Sequence, residues 1–291
     1  MKEMAYFPGC TLYTKATHLD RAGRESFRAL GIELVELDEW TCCGASFPLV
    51  NDYHMGLASP SRVLADTKEA GFDELATVCS VCFNVLTRTN HVFLTDEERK
   101  DKINDFIERD YQGDVPVVHF LQILRDEIGF KRLGEEISTP LSGLKVASYY
   151  GCLLLRPHRE IGFDDPEKPT IFEDFVRSVG AEPVYFPFKN ECCGAFQVMN
   201  DEEIAVRCSK EILTDAVGNE ADIVVTSCPL CQFNLDDRQP ELSERYTDFQ
   251  EIPVIYFTQL LGLALGLKEE ELEFNRNNID PVPILKEKGL L

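Results

Sequence analysis

The chain has 291 residues, of which 44% are hydrophobic, and a formal net charge of −22 at pH 7. Length and apolar content provide for one large hydrophobic core or two ordinary ones, so the eleven cysteines are not needed as staples for a coreless mini-protein. The acidic balance repels phosphate backbones and anionic lipid, which argues against a nucleic-acid or membrane partner.

The opening Met1-Lys2-Glu3-Met4-Ala5-Tyr6 lacks the apolar segment of a secretory signal. The run Leu260-Leu261-Gly262-Leu263-Ala264-Leu265-Gly266-Leu267 is too short to span a bilayer. The expected address is cytoplasmic, where thiols stay reduced and many cysteines favour metal or redox chemistry over disulfides.

Residues 4–8 read as a short buried strand running into Gly9-Cys10, and a helical pattern from about Tyr13 to Leu30 stops at Gly31. The alternating stretch 32–37 reads as a strand leading to Cys42-Cys43-Gly44. A helix is expected over much of 51–70, a strand over 75–78 delivering Cys79, a charged helix over 95–109, a strand over 116–118, and a helix through 119–124. The order then recurs. A strand over 145–150 leads to Gly151-Cys152, a helix covers about 170–179, a strand 183–186 precedes Cys192, a helix covers about 202–217, and a strand 222–226 precedes Cys228. Arg156 to Pro169, rich in charge and proline, reads as a loop. The tail from Asn275 to Leu291 reads as an extended arm or a partner contact.

Such alternation gives an α/β fold with mostly parallel sheets. Pro116-Val117-Val118-His119-Phe120-Leu121-Gln122-Ile123-Leu124 resembles Pro253-Val254-Ile255-Tyr256-Phe257-Thr258-Gln259-Leu260-Leu261, a repeat independent of the cysteines. The expectation is therefore two duplicated Rossmann-like domains, 1–139 and 140–291, related by a pseudo-twofold axis.

Ten of the eleven cysteines fall into two matching sets. The first is Cys10, Cys42-Cys43-Gly44 and Cys79-Ser80-Val81-Cys82; the second is Cys152, Cys192-Cys193-Gly194 and Cys228-Pro229-Leu230-Cys231. The interval from pair to closing motif is 35 residues in the first set and 34 in the second. Each set follows predicted strands, and the carboxyl ends of parallel strands share one sheet edge, so residues far apart in sequence converge there. A closed zinc site takes four ligands, which leaves one thiolate surplus in each half and much negative charge uncompensated. Several iron ions bridged by sulfide answer both objections, and adjacent cysteines with a fifth ligand point away from an ordinary cubane. Gly44 and Gly194 let backbone N–H groups turn toward sulfur, or simply start helices. Cys208, in a helical stretch, reads as a buried apolar residue.

The doubled pattern resembles the CCG-domain family, and within it the B subunits of heterodisulfide reductase. Tyr6-Phe7-Pro8-Gly9-Cys10, Ser148-Tyr149-Tyr150-Gly151-Cys152 and Asp280-Pro281-Val282-Pro283-Ile284-Leu285-Lys286-Glu287-Lys288-Gly289 carry the resemblance, which covers nearly the whole chain. It implies two non-cubane [4Fe–4S] clusters, one on Cys10, Cys42, Cys43, Cys79 and Cys82, the other on Cys152, Cys192, Cys193, Cys228 and Cys231. It further implies reduction of the mixed disulfide of coenzymes M and B, as in methanogenesis; since a disulfide takes two electrons and such clusters deliver one at a time, its sulfur–sulfur bond is expected between the two halves. The chain has no flavin fingerprint. The implied electron donors are the family's C subunit, which holds iron–sulfur centres, and its A subunit, which holds flavin and iron–sulfur centres. Through the larger complex these link to a hydrogenase or formate dehydrogenase.

Basic residues near the cysteines are candidate clamps for such an anionic substrate: Lys15, Arg21 and Arg24 after Cys10, Arg156, His158 and Arg159 after Cys152, and Lys189 before Cys192. His18 and His158 are candidate proton donors, and Trp40 a candidate shield or core residue. Two other readings stand beside this one. One is an electron-transfer subunit of a flavoprotein hydroxy-acid oxidoreductase; the other is a non-catalytic zinc-binding module.

Overall fold

The structure, a computed structural model, describes residues 1–45 and 54–291. Two four-stranded parallel sheets organise it. The first contains β1 (Lys2–Tyr6), β2 (Ile32–Glu36), β3 (Leu75–Thr77) and β4 (Val117–His119) in the order β2-β1-β3-β4. The second contains β5 (Lys145–Ser148), β6 (Glu182–Pro183), β7 (Ile223–Thr226) and β8 (Val254–Tyr256) in the order β6-β5-β7-β8. The duplication expected from the sequence is thus met strand for strand.

The first half carries α1 (Thr17–Ala29), α2 (Ala58–Glu69), α3 (Ser80–Thr95), α4 (Glu97–Ile107), α5 (Phe120–Ile123) and α6 (Phe130–Glu136). The second carries α7 (His158–Ile161), α8 (Ile171–Ser178), α9 (Glu202–Gly218), α10 (Pro229–Leu235), α11 (Gln239–Arg245), α12 (Phe257–Leu265), α13 (Glu269–Leu272) and α14 (Val282–Glu287). Local chemistry explains the ends. Asp96 accepts from the Arg99 amide at 3.0 Å and starts α4, with Glu97 and Glu98 in the first turn. Asp201 does the same for α9 through Glu203 at 3.1 Å. Gly266, in the left-handed conformation, ends α12.

The halves exchange equivalent contacts, as a pseudo-twofold arrangement requires: α1 packs on α12, and α8 packs on α5. At the first crossing Gly23 brings α1 so close that an added Cβ would meet Phe120 at 3.2 Å and Thr258 at 3.3 Å. Thr258 also donates to the Leu19 carbonyl at 3.0 Å. The core is continuous through the junction, where the buried His119 ring lies 5.6 Å from Phe163 and 5.8 Å from Phe257.

Several elements differ from expectation. Helix α3, 16 residues long, occupies a stretch that periodicity left unassigned. Its residues are buried on nearly every side, so it lacks the apolar–polar contrast that marks a surface helix. The loop at 156–169 contains the short α7, and the strand expected over 183–186 is paired only at Glu182–Pro183. The tail is no free arm. It forms α14, and Asn278 and Ile279 donate backbone N–H groups to Asp236 at 2.6 and 3.2 Å. Lys288 pairs with Asp222 at 2.8 Å. The beginning of the helix expected over 51–70 lies outside the described residues; its remainder is α2.

Candidate metal centres

In a 2-1-3-4 parallel sheet the chain reverses direction between the first and third strands, and the crevice outside their carboxyl ends is where such folds bind ligands. Cys10 follows β1 and Cys79 follows β3, one on each side of that switch point. Cys152 follows β5 and Cys228 follows β7, which repeats the geometry. The second member of each closing motif, Cys82 or Cys231, sits in the first turn of α3 or α10.

The sulfurs converge in both halves. Cys10 Sγ lies 3.5 Å from Cys42 Sγ, and Cys43 Sγ lies 3.4 Å from Cys82 Sγ. In the second half Cys152 and Cys192 are 3.8 Å apart, and Cys193 and Cys231 are 3.7 Å apart. All five sulfur-bearing residues of the second set line one cavity, whose remaining walls include Tyr150, Leu153, Phe196, Leu230 and Ser80 of the first half. All the cysteines are free. Cys43, Cys79, Cys82, Cys193, Cys228 and Cys231 are buried, whereas Cys10, Cys42 and Cys192 are exposed and Cys152 is half-buried. Each set therefore has a buried floor and an open rim.

The electrostatics suit thiolates. The Gly44 amide donates to Cys42 Sγ at 3.4 Å and the Gly194 amide to Cys192 Sγ at 3.3 Å. Asn234 donates to Cys193 Sγ at 3.6 Å and to the Cys193 carbonyl at 3.0 Å. Hydrogen bonds from Cys42 and then Cys82 bring the Cys43 thiol down to about 4. The hydrogen bond from Cys152 brings Cys192 down to about 6, and Cys231 lowers Cys193. Their partners Cys42, Cys82, Cys152 and Cys231 are pushed up, since the same close pairs hold the shared protons.

The residues fit a polynuclear sulfur-ligated group. The donor set is all thiol, with amide donors aimed at sulfur and no carboxylate among them. The backbone also makes room for it. Gly9 has φ 79° and ψ 164°, and a Cβ there would lie 2.7 Å from Cys82 Sγ. Gly151, before Cys152, has φ +64° and would meet Cys231 Sγ at 3.1 Å. Glycine before the first cysteine is thus a feature of both halves, dictated by the close approach of the closing motif.

The two sets meet at the junction. Ser80, next to Cys79, and Ser227, next to Cys228, share a hydrogen bond between hydroxyls at 2.6 Å, and both are fully buried. The Ser80 amide reaches the Ser227 carbonyl at 3.4 Å. Asn84 of α3 crosses as well, donating to the Leu153 and Arg156 carbonyls at 2.7 and 2.8 Å, and Arg88 pairs with Glu160 at 2.6 Å.

The expected basic clamps are mostly engaged. Arg24 bonds Asp20 at 2.9 Å and Glu36 at 2.5 Å and lies over the Tyr6 ring. Arg156 donates to the Asn190 carbonyl at 2.9 Å and pairs with Glu167 at 3.1 Å. Lys189 bonds Glu173 and the Pro169 carbonyl, and Arg21 pairs with Glu273. Lys15, exposed, has no ion pair among the described residues, and its charge reaches Asp237. His158 and Arg159 are exposed at α7. His18 is buried in α1 with neither ring nitrogen hydrogen-bonded. Trp40 packs on Phe7 and Tyr13 at 5.3 and 5.6 Å and donates to Glu36, so it is tied to the segment that carries Cys10. Cys208 is half-buried on α9 rather than fully buried; burial and then the neighbouring Cys192 raise its thiol pKa.

Nothing in the sequence alone marks Ser80, Ser227 or Asn234 as part of the site. Gly9-Cys10 and Gly151-Cys152 were visible as a repeated doublet; the serines needed the contact between halves.

The sequence profile of the cysteine-rich domain, CCG, matches residues 4–87 and again residues 146–236. The chain belongs to the CCG family. A CCG relative from Wolinella succinogenes, the 8-methylmenaquinol:fumarate reductase membrane anchor subunit, is 38% identical over 96% of this chain and 98% of its own length. The B subunit of the ferredoxin/F(420)H(2)-dependent CoB-CoM heterodisulfide reductase of Methanosarcina acetivorans is 31% identical over 98% of this chain and 96% of its own. A crystal structure of a hypothetical protein from Helicobacter pylori shares the fold with a TM-score of 0.77 at 13% identity, over 95% of this chain and 52% of that one. Among the described residues of this CCG protein no helix is long and apolar enough to cross a membrane.

Proposed function

We propose that this chain is the iron–sulfur catalytic subunit of a heterodisulfide-reductase-type complex. Its two domains, 1–139 and 140–291, each hold one non-cubane [4Fe–4S] cluster. Cys10, Cys42, Cys43, Cys79 and Cys82 hold the first, and Cys152, Cys192, Cys193, Cys228 and Cys231 the second. Such clusters, when bound, supply single electrons, and two of them together supply the pair a disulfide requires. The balance is RS–SR′ plus two electrons and two protons to RSH and R′SH. The observation that carries this reading is the junction: Ser80 and Ser227 join the two cysteine sets at 2.6 Å, and Ser80 lines the cavity of the opposite set.

The chain's own residues have definite tasks. Gly44 and Gly194 amides lower the cost of sulfur charge, and Tyr150, Leu153, Phe196 and Leu230 line the cavity of the second set. Lys15, exposed and without an ion pair among the described residues, is the proposed partner of an anionic group of the substrate, whereas Arg24, Arg156 and Lys189 are held by neighbouring carboxylates and carbonyls. Electrons come from partner proteins of the complex, an iron–sulfur C subunit fed by a flavin-bearing A subunit, which link to a hydrogenase or formate dehydrogenase.

The Wolinella relative supports a second reading, in which the same two centres exchange electrons with a quinol rather than a disulfide. Anaerobically purified protein tests both. The proposal expects about eight iron atoms per chain and oxidation of reduced viologen by the coenzyme M–coenzyme B disulfide. Turnover of a methylnaphthoquinone alone favours the second reading, and a colourless protein with two zinc atoms refutes both.

A further inference from the structure

Five tyrosines are buried among the described residues, and four have a hydrogen-bond partner for the hydroxyl. Tyr6 donates to Asp20 at 2.6 Å, Tyr111 to Asn90 at 2.5 Å, Tyr149 to the Glu191 carbonyl at 2.7 Å and Tyr150 to Glu173 at 2.5 Å. The fifth, Tyr256, is 1% exposed, and among the described residues its hydroxyl donates to no acceptor. A tyrosine hydroxyl carries one proton to donate, and that of Tyr256 is available to an acceptor that arrives from outside.

The position of Tyr256 says where that partner sits. The residue ends β8, in register with Thr226 at the end of β7, and Ser227-Cys228 follow directly. Burial and then the charges of Cys228 and Cys79, one from each set, raise its phenol well above the ordinary value. Its ring packs at 4.7 Å on His18 from the first half, which is 3% exposed with both ring nitrogens unbonded. The unbonded His18 ring and Tyr256, with its undonated hydroxyl proton, thus face one another at the junction that both cysteine sets share.

The internal repeat provides a control. Tyr256 occupies the place of His119, and His119 is fully used: Nε2 bonds the Val78 carbonyl at 3.0 Å, and Nδ1 accepts from the Leu121 amide at 3.2 Å. The duplicated position caps a helix in both halves, but only Tyr256 brings a hydroxyl proton that the fold does not use.

We infer that the Tyr256 hydroxyl donates a hydrogen bond to the electron-accepting group of a small molecule seated between the two cysteine sets, with His18 as the polar wall behind the ring. The acceptor is an atom that gains negative charge on reduction, a disulfide sulfur or a quinone oxygen. The phenol keeps its proton and makes or breaks no covalent bond. This rests on the proposed function only in requiring a ligand at the junction.

The test compares wild-type and Tyr256→Phe holoprotein under anaerobic conditions. The two probes are the coenzyme M–coenzyme B disulfide and a methylnaphthoquinone. Readouts are iron and sulfide content, the probe-induced change in the cluster spectrum, and viologen-linked kcat and KM. The expected result is wild-type iron content and probe-free spectrum in the variant, with roughly 10- to 100-fold more probe needed for the spectral change. A wild-type response matched within about twofold by the variant overturns the tyrosine's role and leaves the proposed function standing. Loss of iron in the variant also overturns it, because the hydroxyl would then belong to the cluster shell. A wild type that responds to neither probe overturns both readings.

Discussion

Gly9→Ala isolates the close approach that builds the first centre. At φ 79° and ψ 164° Gly9 lies in a region essentially restricted to glycine, where a side chain costs about 1–3 kcal/mol. The new Cβ would also lie 2.7 Å from Cys82 Sγ, an overpacking cost of about 1–3 kcal/mol more. The combined cost, about 2–6 kcal/mol, is a large share of a net stability of about 5–15 kcal/mol. The overlap falls on a cysteine, so relief comes by moving that sulfur. Gly31→Ala is the matched control: its φ is +83°, but a Cβ there meets nothing within 4 Å, so only backbone strain of about 1–2 kcal/mol applies. Anaerobic denaturant titration should separate the two variants by more than about 1 kcal/mol. Iron analysis should find about half of the metal missing in Gly9→Ala alone. Full iron in Gly9→Ala, with a stability within about 0.5 kcal/mol of the Gly31→Ala value, would refute the reasoning.

Cys43→Ser and Cys193→Ser should each remove one centre, leaving roughly half the iron and one spectral component; equal loss of both components from either change would contradict independent sites. Ser80→Ala leaves the buried Ser227 hydroxyl without its 2.6 Å partner and should cost about 1–3 kcal/mol. The double variant with Ser227→Ala should regain part of that cost, and a double variant worse than the sum of the singles would show that the pair is not an isolated bond. For His119, burial lowers the imidazole to about 3 in the folded chain from an ordinary 6.5. The unfolded chain therefore binds the proton first, and stability falls as pH drops from 6.5 toward 3, by up to about 1.4 kcal/mol per unit. Denaturant midpoints at several pH values should show a shallower acid slope in His119→Gln than in wild type; equal slopes would rule His119 out as the source.

The sequence alone carried a good deal of this protein. The two cysteine sets, their order and their glycines were legible because ligand type and spacing are local facts of the chain. The parallel α/β duplication was legible too, since 253–261 repeats 116–124 without any help from cysteine. Helix α3 was not: buried on nearly every side, it has no polar face to announce its period. Arg24, Arg156 and Lys189 read as candidate clamps for an anionic substrate, yet the fold supplies each with carboxylates or carbonyls from other segments. The junction was beyond sequence altogether. Ser80 and Ser227 are 147 positions apart, and His18 and Tyr256 lie in different halves. Periodicity reports which face of an element is apolar; only the docking of one half on the other decides which polar groups end up buried together and which of them are left with a bond to make.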